Sequence, residues 1–188
     1  MHAEQSADDG AALLGIDMGA VSVDHLDAIS EETVAKLAKS GTIAVLLPGA
    51  SFLANTNLFA PARKLIDAGA IVALATDLNP GSSNIYAPSF VMTLAALKLG
   101  MSPEEAIVAF TKNAAFALNL GYTKGCLMPG MDADIAILRT DDYRDLAYMV
   151  GADIVDTVIA RGTILKQKGV LSEKVGKEKP AWAESVAS

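Results

Sequence analysis

The residues best suited to chemistry lie in one stretch, Ile71 to Ser83. It opens with an uninterrupted apolar run from Ile71 to Ala75, which is typical of a strand buried on both faces. Asp77 follows where that strand should end, and a turn-forming segment comes directly after it. A carboxylate at the carboxyl end of a buried parallel strand is where α/β barrels place catalytic groups. Alternatively, Asp77 caps the turn through its own side chain, because Asp is common before Asn-Pro-Gly.

The chain has only two histidines, His2 and His25. His25 follows a predicted strand, as Asp77 does, so both side chains are expected at the same edge of a parallel sheet. A single loop histidine can equally be structural or solvated, and His2 lies where side chains are usually mobile. The neighbouring acids also have simple interpretations, in which Asp24 holds His25 and Glu4 is a solvated acid. No P-loop, GxGxxG, GxSxG, CxxC or HExxH motif is present.

Composition limits the classes of function. The 188 residues are 52% hydrophobic and carry a net charge of -7, which argues against nucleic acid or an anionic membrane as the main partner. The single cysteine, Cys126, excludes an internal disulfide and fits a reducing compartment. No apolar run reaches the roughly 18 residues of a membrane span, and the first residues do not resemble a signal peptide. A cytoplasmic protein is therefore expected.

Strands and helices alternate over the first part of the chain, which predicts right-handed βαβ units and a parallel sheet. Strands are predicted at 20–23, 42–47 and 71–76, and helices at 8–18, from Ser30 to Gly41, and at 60–68, 88–99 and 103–118. Ser30 and Ser102 are predicted N-caps because acidic residues follow each of them. No strand is predicted before the first helix, and residues 50–57 are predicted to form a loop.

The second part of the chain has a different character. A turn-rich segment at 123–134 precedes a short strand at Ile135–Leu138. Residues 153–160 and 163–165 predict a hairpin around Arg161-Gly162. These strands are interpreted as a small β appendage. The residues from Ser172 onward show no periodicity and are expected to be mobile or docked elsewhere.

Several motifs carry a resemblance to a known family. Gly125 to Ile137 resembles the G-x-L-x-x-G-x-x-A-D-hydrophobic segment of the amidohydrolase superfamily, and Asn113-Ala-Ala115 resembles its N-x-A pattern. More specifically, four segments are together similar to imidazolonepropionases, which act in histidine degradation: His2-Ala-Glu-Gln5, Asp24-His25-Leu26, Val45-Leu-Leu-Pro-Gly49 and Ala75 to Ser83. The resemblance runs from His2 to about Leu165, and it covers only the second half of such an enzyme.

The resemblance implies the C-terminal half of a (β/α)8 TIM-type barrel plus part of a small β-sandwich. Residues 1–122 would be the second half of the metal-dependent hydrolase barrel, with strands 5/6 to 8 and only a remnant of strand 5. Residues 123–171 would form part of a composite β-sandwich, and residues 172–188 a C-terminal tail.

The resemblance also implies roles for single residues. His2 and Asp77 would bind one divalent metal ion, Zn or Fe. Asp77 would also act as general base toward the metal-bound water, and His25 would orient or polarise the substrate. The remaining implied residues would hold the imidazolone ring and its propionate: Gln5, Asn79, Gly81 and Ser82. The implied reaction is hydrolysis of the cyclic amide 4-imidazolone-5-propanoate to N-formimino-L-glutamate.

One departure from the family pattern changes the expectation for this chain. The His-x-His metal pair and barrel strands 1 to 4 have no counterpart, so His2 and Asp77 are fewer ligands than the usual three. The chain alone is therefore expected to be inactive, and its partner to be a missing N-terminal half or a second copy of itself. The alternatives are an inactive fragment or assembly subunit, and another cyclic-amide hydrolase or deaminase of the superfamily. The stretch from Asp77 to Ser83 speaks against the last.

Overall fold

The computed structural model of the chain describes residues 1–173 and Val175. The first part is an α/β unit built on a parallel sheet with the strand order β1-β2-β3-β4. Its strands are β1 (His2–Ala3), β2 (Ser22–His25), β3 (Ile43–Leu46) and β4 (Val72–Leu74). The predicted α/β fold is confirmed. The prediction for the tail at 172–188 lies almost entirely outside the described residues.

Most helices of this unit cover one face of the sheet, but the last one contributes Ala114, Ala117 and Leu118 to a cavity on the other face. The helices connect the strands. They are α1 (Ala11–Asp17), α2 (Glu31–Leu37), α3 (Pro48–Leu53), α4 (Ala62–Asp67), α5 (Pro88–Leu99), α6 (Pro103–Val108) and α7 (Ala114–Ala117). Both predicted N-caps are confirmed. The Ser30 side chain accepts the N–H of Thr33, and Ser102 forms a reciprocal capping box with Glu105.

Two predictions for the α/β unit were wrong. A strand does precede α1, because His2 and Ala3 pair in parallel with residues of β2 and complete the backbone hydrogen bonding along its edge. The predicted loop at 50–57 begins inside α3, since Pro48 starts this helix rather than only ending β3. Proline fits the first turn of a helix, where its missing N–H has no partner to lose.

The predicted helix at 103–118 is interrupted by a π-helical turn, Ala109–Asn113, between α6 and α7. Such a turn holds one residue more than an α-helical turn and often occurs at functional sites. Here it places the Asn113 side chain against β4, where its Nδ2 donates to the carbonyl of Val72 at 2.8 Å. The N-x-A motif thus attaches this helix to the last strand of the sheet.

The two faces of the parallel sheet have different environments. On one face the side chains are almost fully buried with those of the helices: Val23, Ala44, Leu46, Val72 and Leu74. On the opposite face, strand register aligns His2 with Asp24, Asp24 with Val45, and Val45 with Ala73. This second face lines an open cavity, so the sheet has an apolar, helix-covered side and a concave side with polar groups near β1.

A second, antiparallel sheet follows, with the strand order β5-β6-β7-β8. It contains β5 (Ile135–Leu138), β6 (Val155–Ala160), β7 (Thr163–Gln167) and β8 (Val170–Leu171), with the short helix α8 (Asp145–Tyr148) between β5 and β6. The hairpin around Arg161-Gly162 is confirmed, whereas α8 and β8 were not predicted. Asp134 joins this hairpin to the preceding turn, accepting the N–H of Arg161 at 2.7 Å and pairing with Lys124.

Candidate active site

Backbone geometry brings His25 next to His2. Side chains alternate between faces along β2, so His25 would be expected on the helix-covered face with Val23. Both His25 (φ 80°) and Leu26 (φ 67°) adopt left-handed conformations, which change the chain direction at the end of the strand. The imidazole rings of His2 and His25 lie 4.4 Å apart between centroids, and both rings line the concave side of the sheet.

The Asp77 loop is closed by Asn79 rather than by Asp77 itself. Asn79 Nδ2 donates to the Asp77 carbonyl at 2.7 Å, while its Oδ1 accepts the N–H groups of Gly81 and Ser82 at 2.8 and 2.7 Å. Ser83 Oγ donates to the carbonyl of Thr76 at 2.9 Å. The Asp77 carboxylate accepts no hydrogen bond from residues 1–173, so the turn-capping alternative for Asp77 is not what the structure contains. This leaves the carboxylate free at the cavity.

A cavity of about 440 Å³ contains the three residues predicted to act at the metal and at the substrate. Its lining includes His2, His25 and Asp77 together with Ser22, Asp24, Val45, Leu47, Ala73, Leu74, Ala75, Ala114, Ala117 and Leu118. The other predicted binding residues lie near this end of the sheet but not in the lining: Gln5, Asn79, Gly81 and Ser82. A larger cavity of about 1110 Å³, at the amino ends of the strands, includes none of the predicted site residues.

His25 is the buried titratable group of this cavity. Burial lowers the pKa of its imidazole, and the neighbouring His2 lowers it further, while Asp77 and Asp24 act in the opposite direction. Its Nδ1 is buried without a hydrogen-bond partner among the described residues. Asp24 does not hold it, because Asp24 Oδ1 instead accepts from the hydroxyl of Ser22 at 2.9 Å. His25 therefore lines the cavity with a buried Nδ1 that has no partner among the described residues, and an imidazole nitrogen can donate or accept a hydrogen bond.

Two further acids beside the site were not recognised from the sequence. The simple interpretation of Glu4 was a solvated acid, but Glu4 is only 1% exposed and accepts the N–H of Ala12 at 2.9 and 3.2 Å. Burial raises the pKa of its carboxyl group. Asp27 is 7% exposed and accepts from the hydroxyl of Ser51 at 3.0 Å. The sequence signal for Asp27 is weak, consisting only of an acid two positions after His25.

The described residues do not form a metal site by themselves. Among residues 1–173, no group of three or more His, Cys, Asp or Glu side chains is arranged to hold a metal ion. His2 and Asp77 offer two donors on a shared cavity, whereas catalytic zinc sites use three protein ligands and keep one open position. A metal ion bound here requires ligands beyond these two residues.

Comparison with known proteins places this arrangement in a family. The model of the "Amidohydrolase family" matches residues 2–165, which include the whole parallel sheet and the antiparallel sheet as far as the first residues of β7. The chain belongs to the amidohydrolase family. Among described residues of this family member, no helix has the length and apolar character required to cross a bilayer.

Curated relatives of this amidohydrolase share nearly half of its residues. It is 46% identical over 165 residues to the imidazolonepropionase of Kosmotoga olearia, a match that covers 88% of this chain and 40% of the relative. It is 42% identical over 169 residues to the imidazolonepropionase of Symbiobacterium thermophilum, covering 90% of this chain and 40% of the relative. The chain thus spans about 40% of the length of the curated relatives it matches.

Solved structures share the fold of this amidohydrolase at lower sequence identity. A zinc-bound adenosine deaminase from Xanthomonas campestris has a TM-score of 0.72 at 22% identity, covering 88% of this chain and 40% of that structure. The ochratoxinase of A. niger has a TM-score of 0.73 at 23% identity, covering 90% of this chain and 41% of that structure. These likenesses establish the fold alone.

Proposed function

We propose that this chain is part of an imidazolonepropionase, which hydrolyses 4-imidazolone-5-propanoate to N-formimino-L-glutamate. The observation that carries the proposal is the convergence of His2, His25 and Asp77 on one cavity at the carboxyl ends of parallel strands. The identity of 42 to 46% to imidazolonepropionases over most of the chain supports the same reaction.

We propose further that the parallel sheet is half of a (β/α)8 barrel and that the antiparallel sheet is part of a β-sandwich. The helix-covered face and the concave face of the parallel sheet correspond to the outside and inside of such a barrel. β1 and β4 are both edge strands, so a closed barrel requires strands from a second segment at both edges. That segment is either an N-terminal half or a second copy of this chain.

Asp77 and His25 have complementary roles in the proposed reaction. The Asp77 carboxylate, free of hydrogen bonds within residues 1–173, takes a proton from the attacking water. The water oxygen adds to the ring carbonyl carbon, the ring C–N bond breaks, and the departing nitrogen receives the proton. An N–H of His25 donates to the carbonyl oxygen as negative charge develops there. Gln5 and the loop residues Asn79, Gly81 and Ser82 hold the ring and its propionate.

A divalent metal ion, Zn or Fe, is part of the proposal, with His2 and Asp77 as two of its ligands. Imidazole and carboxylate are suitable donors for either ion. Structures that share the fold support this assignment, including the zinc-bound adenosine deaminase. The remaining ligands come from the second segment, because the described residues contain no third one.

The direct test supplies the missing segment. This chain is co-expressed with the part of the Kosmotoga olearia enzyme that lies outside the matched 40%, and formation of N-formimino-L-glutamate is followed with Zn or Fe(II). Turnover should require both polypeptides. Asp77→Asn should lower it at least about 10²-fold, since the amide cannot accept the proton.

The matched control is Asp17→Asn, which makes the same chemical change on an exposed residue of α1. It should leave turnover unchanged. A co-purifying complex with full activity in the Asp77→Asn variant would contradict the role of Asp77. A complex that binds metal but does not open the ring would contradict the proposed reaction.

A further inference from the structure

The loop that begins at His25 is attached to the structure on both sides. On the β1 side, the N–H of Leu26 donates to the carbonyl of Ala3 at 3.1 Å. On the other side, the Asp27 carboxylate accepts from the hydroxyl of Ser51, which lies in α3. Asp27 and Ser51 are 7% and 2% exposed, so this hydrogen bond is inside the protein. The loop therefore connects β1, where His2 lies, with α3.

The backbone of this loop needs such attachments. His25 and Leu26 are consecutive non-glycine residues with positive φ values. The left-handed region is unfavourable for residues that carry a Cβ, and it persists where surrounding contacts hold the chain. Leu26 is fully buried, and Asp27 is the next residue along the chain. The hydrogen bond of Asp27 thus acts at the position where the loop must be kept in its unusual conformation.

No hydrogen bond among the described residues fixes the direction of the buried His25 ring. Its Nδ1 has no hydrogen-bond partner among the described residues, and its ring contact is with His2, an exposed residue of an edge strand. In many sites a carboxylate or carbonyl on the second ring nitrogen orients a functional histidine. Here no such partner is present among the described residues, so the ring depends on packing and on the backbone that carries it.

We propose that Asp27, held by Ser51, is a positioning residue that fixes the His25 ring against His2 in the lining of the cavity. The proposal rests on the proposed function in that His25 faces the substrate. A buried carboxylate is costly unless it is hydrogen-bonded. Burial raises the pKa of the Asp27 carboxyl group by more than the hydrogen bonds from Ser51 and from the Ala60 backbone lower it. An apolar residue would pack here at lower cost but could not accept the hydrogen bond from α3.

Ring NMR of the whole chain tests the proposal, because the sequence contains only two histidines. The chain is labelled with ¹³C and ¹⁵N in histidine, and the nuclear Overhauser contact between the two rings is recorded at one fixed pH. Ser51→Ala removes the donor, and Asp27→Leu removes the acceptor while keeping the branching of the side chain. Both variants should lose the contact between the rings and show a broadened or split His25 Hε1 signal.

The matched control is Thr42→Val, which removes a different buried hydroxyl hydrogen bond. Thr42 Oγ1 donates to the carbonyl of Ala20 at 2.9 Å, at the opposite end of the sheet. This variant should keep the contact between the rings, although it also loses stability. Far-UV circular dichroism checks that each variant is folded. If Ser51→Ala unfolds, Asp27→Leu carries the test, because it removes the same hydrogen bond from the other side.

Three results would overturn the proposal: an unchanged ring contact in both folded variants, an equal loss in Thr42→Val, or no ring contact in the unaltered chain. The ring signals do not depend on turnover. If the proposed reaction is wrong, Ser51→Ala should still change the NMR signals of the rings. If the positioning role is wrong, turnover by the co-expressed enzyme still tests the proposed reaction.

Discussion

The buried carboxyl group of Asp27 should make the stability of the fold depend on pH. Burial raises the pKa of Asp27 from 3.8 to about 6, against the lowering effects of Ser51 and of the Ala60 backbone. Between these two values the folded state binds a proton that the unfolded state has released. The free energy of unfolding should therefore fall as pH rises through this window, and the stabilisation present below it is lost.

The size of this effect follows from the pKa difference. Each pH unit between the folded and unfolded pKa values corresponds to about 1.36 kcal/mol. For Asp27 the limit is about 3 kcal/mol between pH 3.8 and 6, and solvent relaxation around the carboxylate will reduce it. In Asp27→Asn this contribution is absent. The free energy of unfolding of the unaltered chain should consequently decline by up to about 3 kcal/mol relative to the variant from pH 4 to 7.

Urea unfolding followed by circular dichroism at a series of pH values measures this difference at one protein concentration. Comparing the chain with its variant cancels the contributions that other groups with shifted pKa values make to the pH dependence of stability. The lowered pKa of His25 has the opposite sign and removes stability as pH falls below 6.5, whereas Glu4 acts in the same direction as Asp27. Asp17→Asn serves as the exposed control. A difference between chain and Asp27→Asn that stays constant from pH 4 to 7 would refute the reasoning.

Three further outcomes are expected. The 188 residues alone should show no imidazolone hydrolysis, since residues 1–173 hold no complete metal site, and steady turnover by the purified chain would contradict this. The isolated chain should associate, because within residues 1–173 β1 and β4 are edge strands and only part of α7 lies over the concave face. A single monomeric species in sedimentation across a dilution series, with a sharp thermal transition, would rule this out. Ser30→Ala should lower the free energy of unfolding by about 1 kcal/mol, because α2 loses its N-cap, with Ser6→Ala as the exposed control in the same denaturation assay.

Much of the fold could be predicted because the sequence patterns that specify its helices and strands are local. The apolar run before Asp77 and the capping residues Ser30 and Ser102 each act on segments only a few residues away. Alternation of strands and helices then limits the topology to a parallel sheet. The same alternation brings His25 and Asp77 to one edge, so the sequence was sufficient to predict that they would be neighbours.

The remaining features depend on contacts between distant parts of the chain. Glu4 looks like a solvated acid until the N–H of Ala12 is brought to it, eight residues further on. Asp27 is buried only because α3 places Ser51 beside it, and α3 itself was predicted to be a loop. Burial of a charged residue is a tertiary property, and no local pattern distinguished these acids from exposed ones. The left-handed turn at His25 also depends on tertiary contacts, and no local pattern predicted it.

The π-helical turn at Ala109–Asn113 holds one residue that a continuous α-helix would not need. Removing a single residue from this turn would therefore leave a regular α-helix in which the later residues keep their direction. Ala114, Ala117 and Leu118 would still line the cavity. A deletion among residues 109–112 would also leave Asn113 at the carbonyl of Val72, because Asn113 lies on the same side of the deletion as Ala114. Between Pro103 and Ala117, this turn is thus the place where the chain can lose one residue with least effect on the cavity.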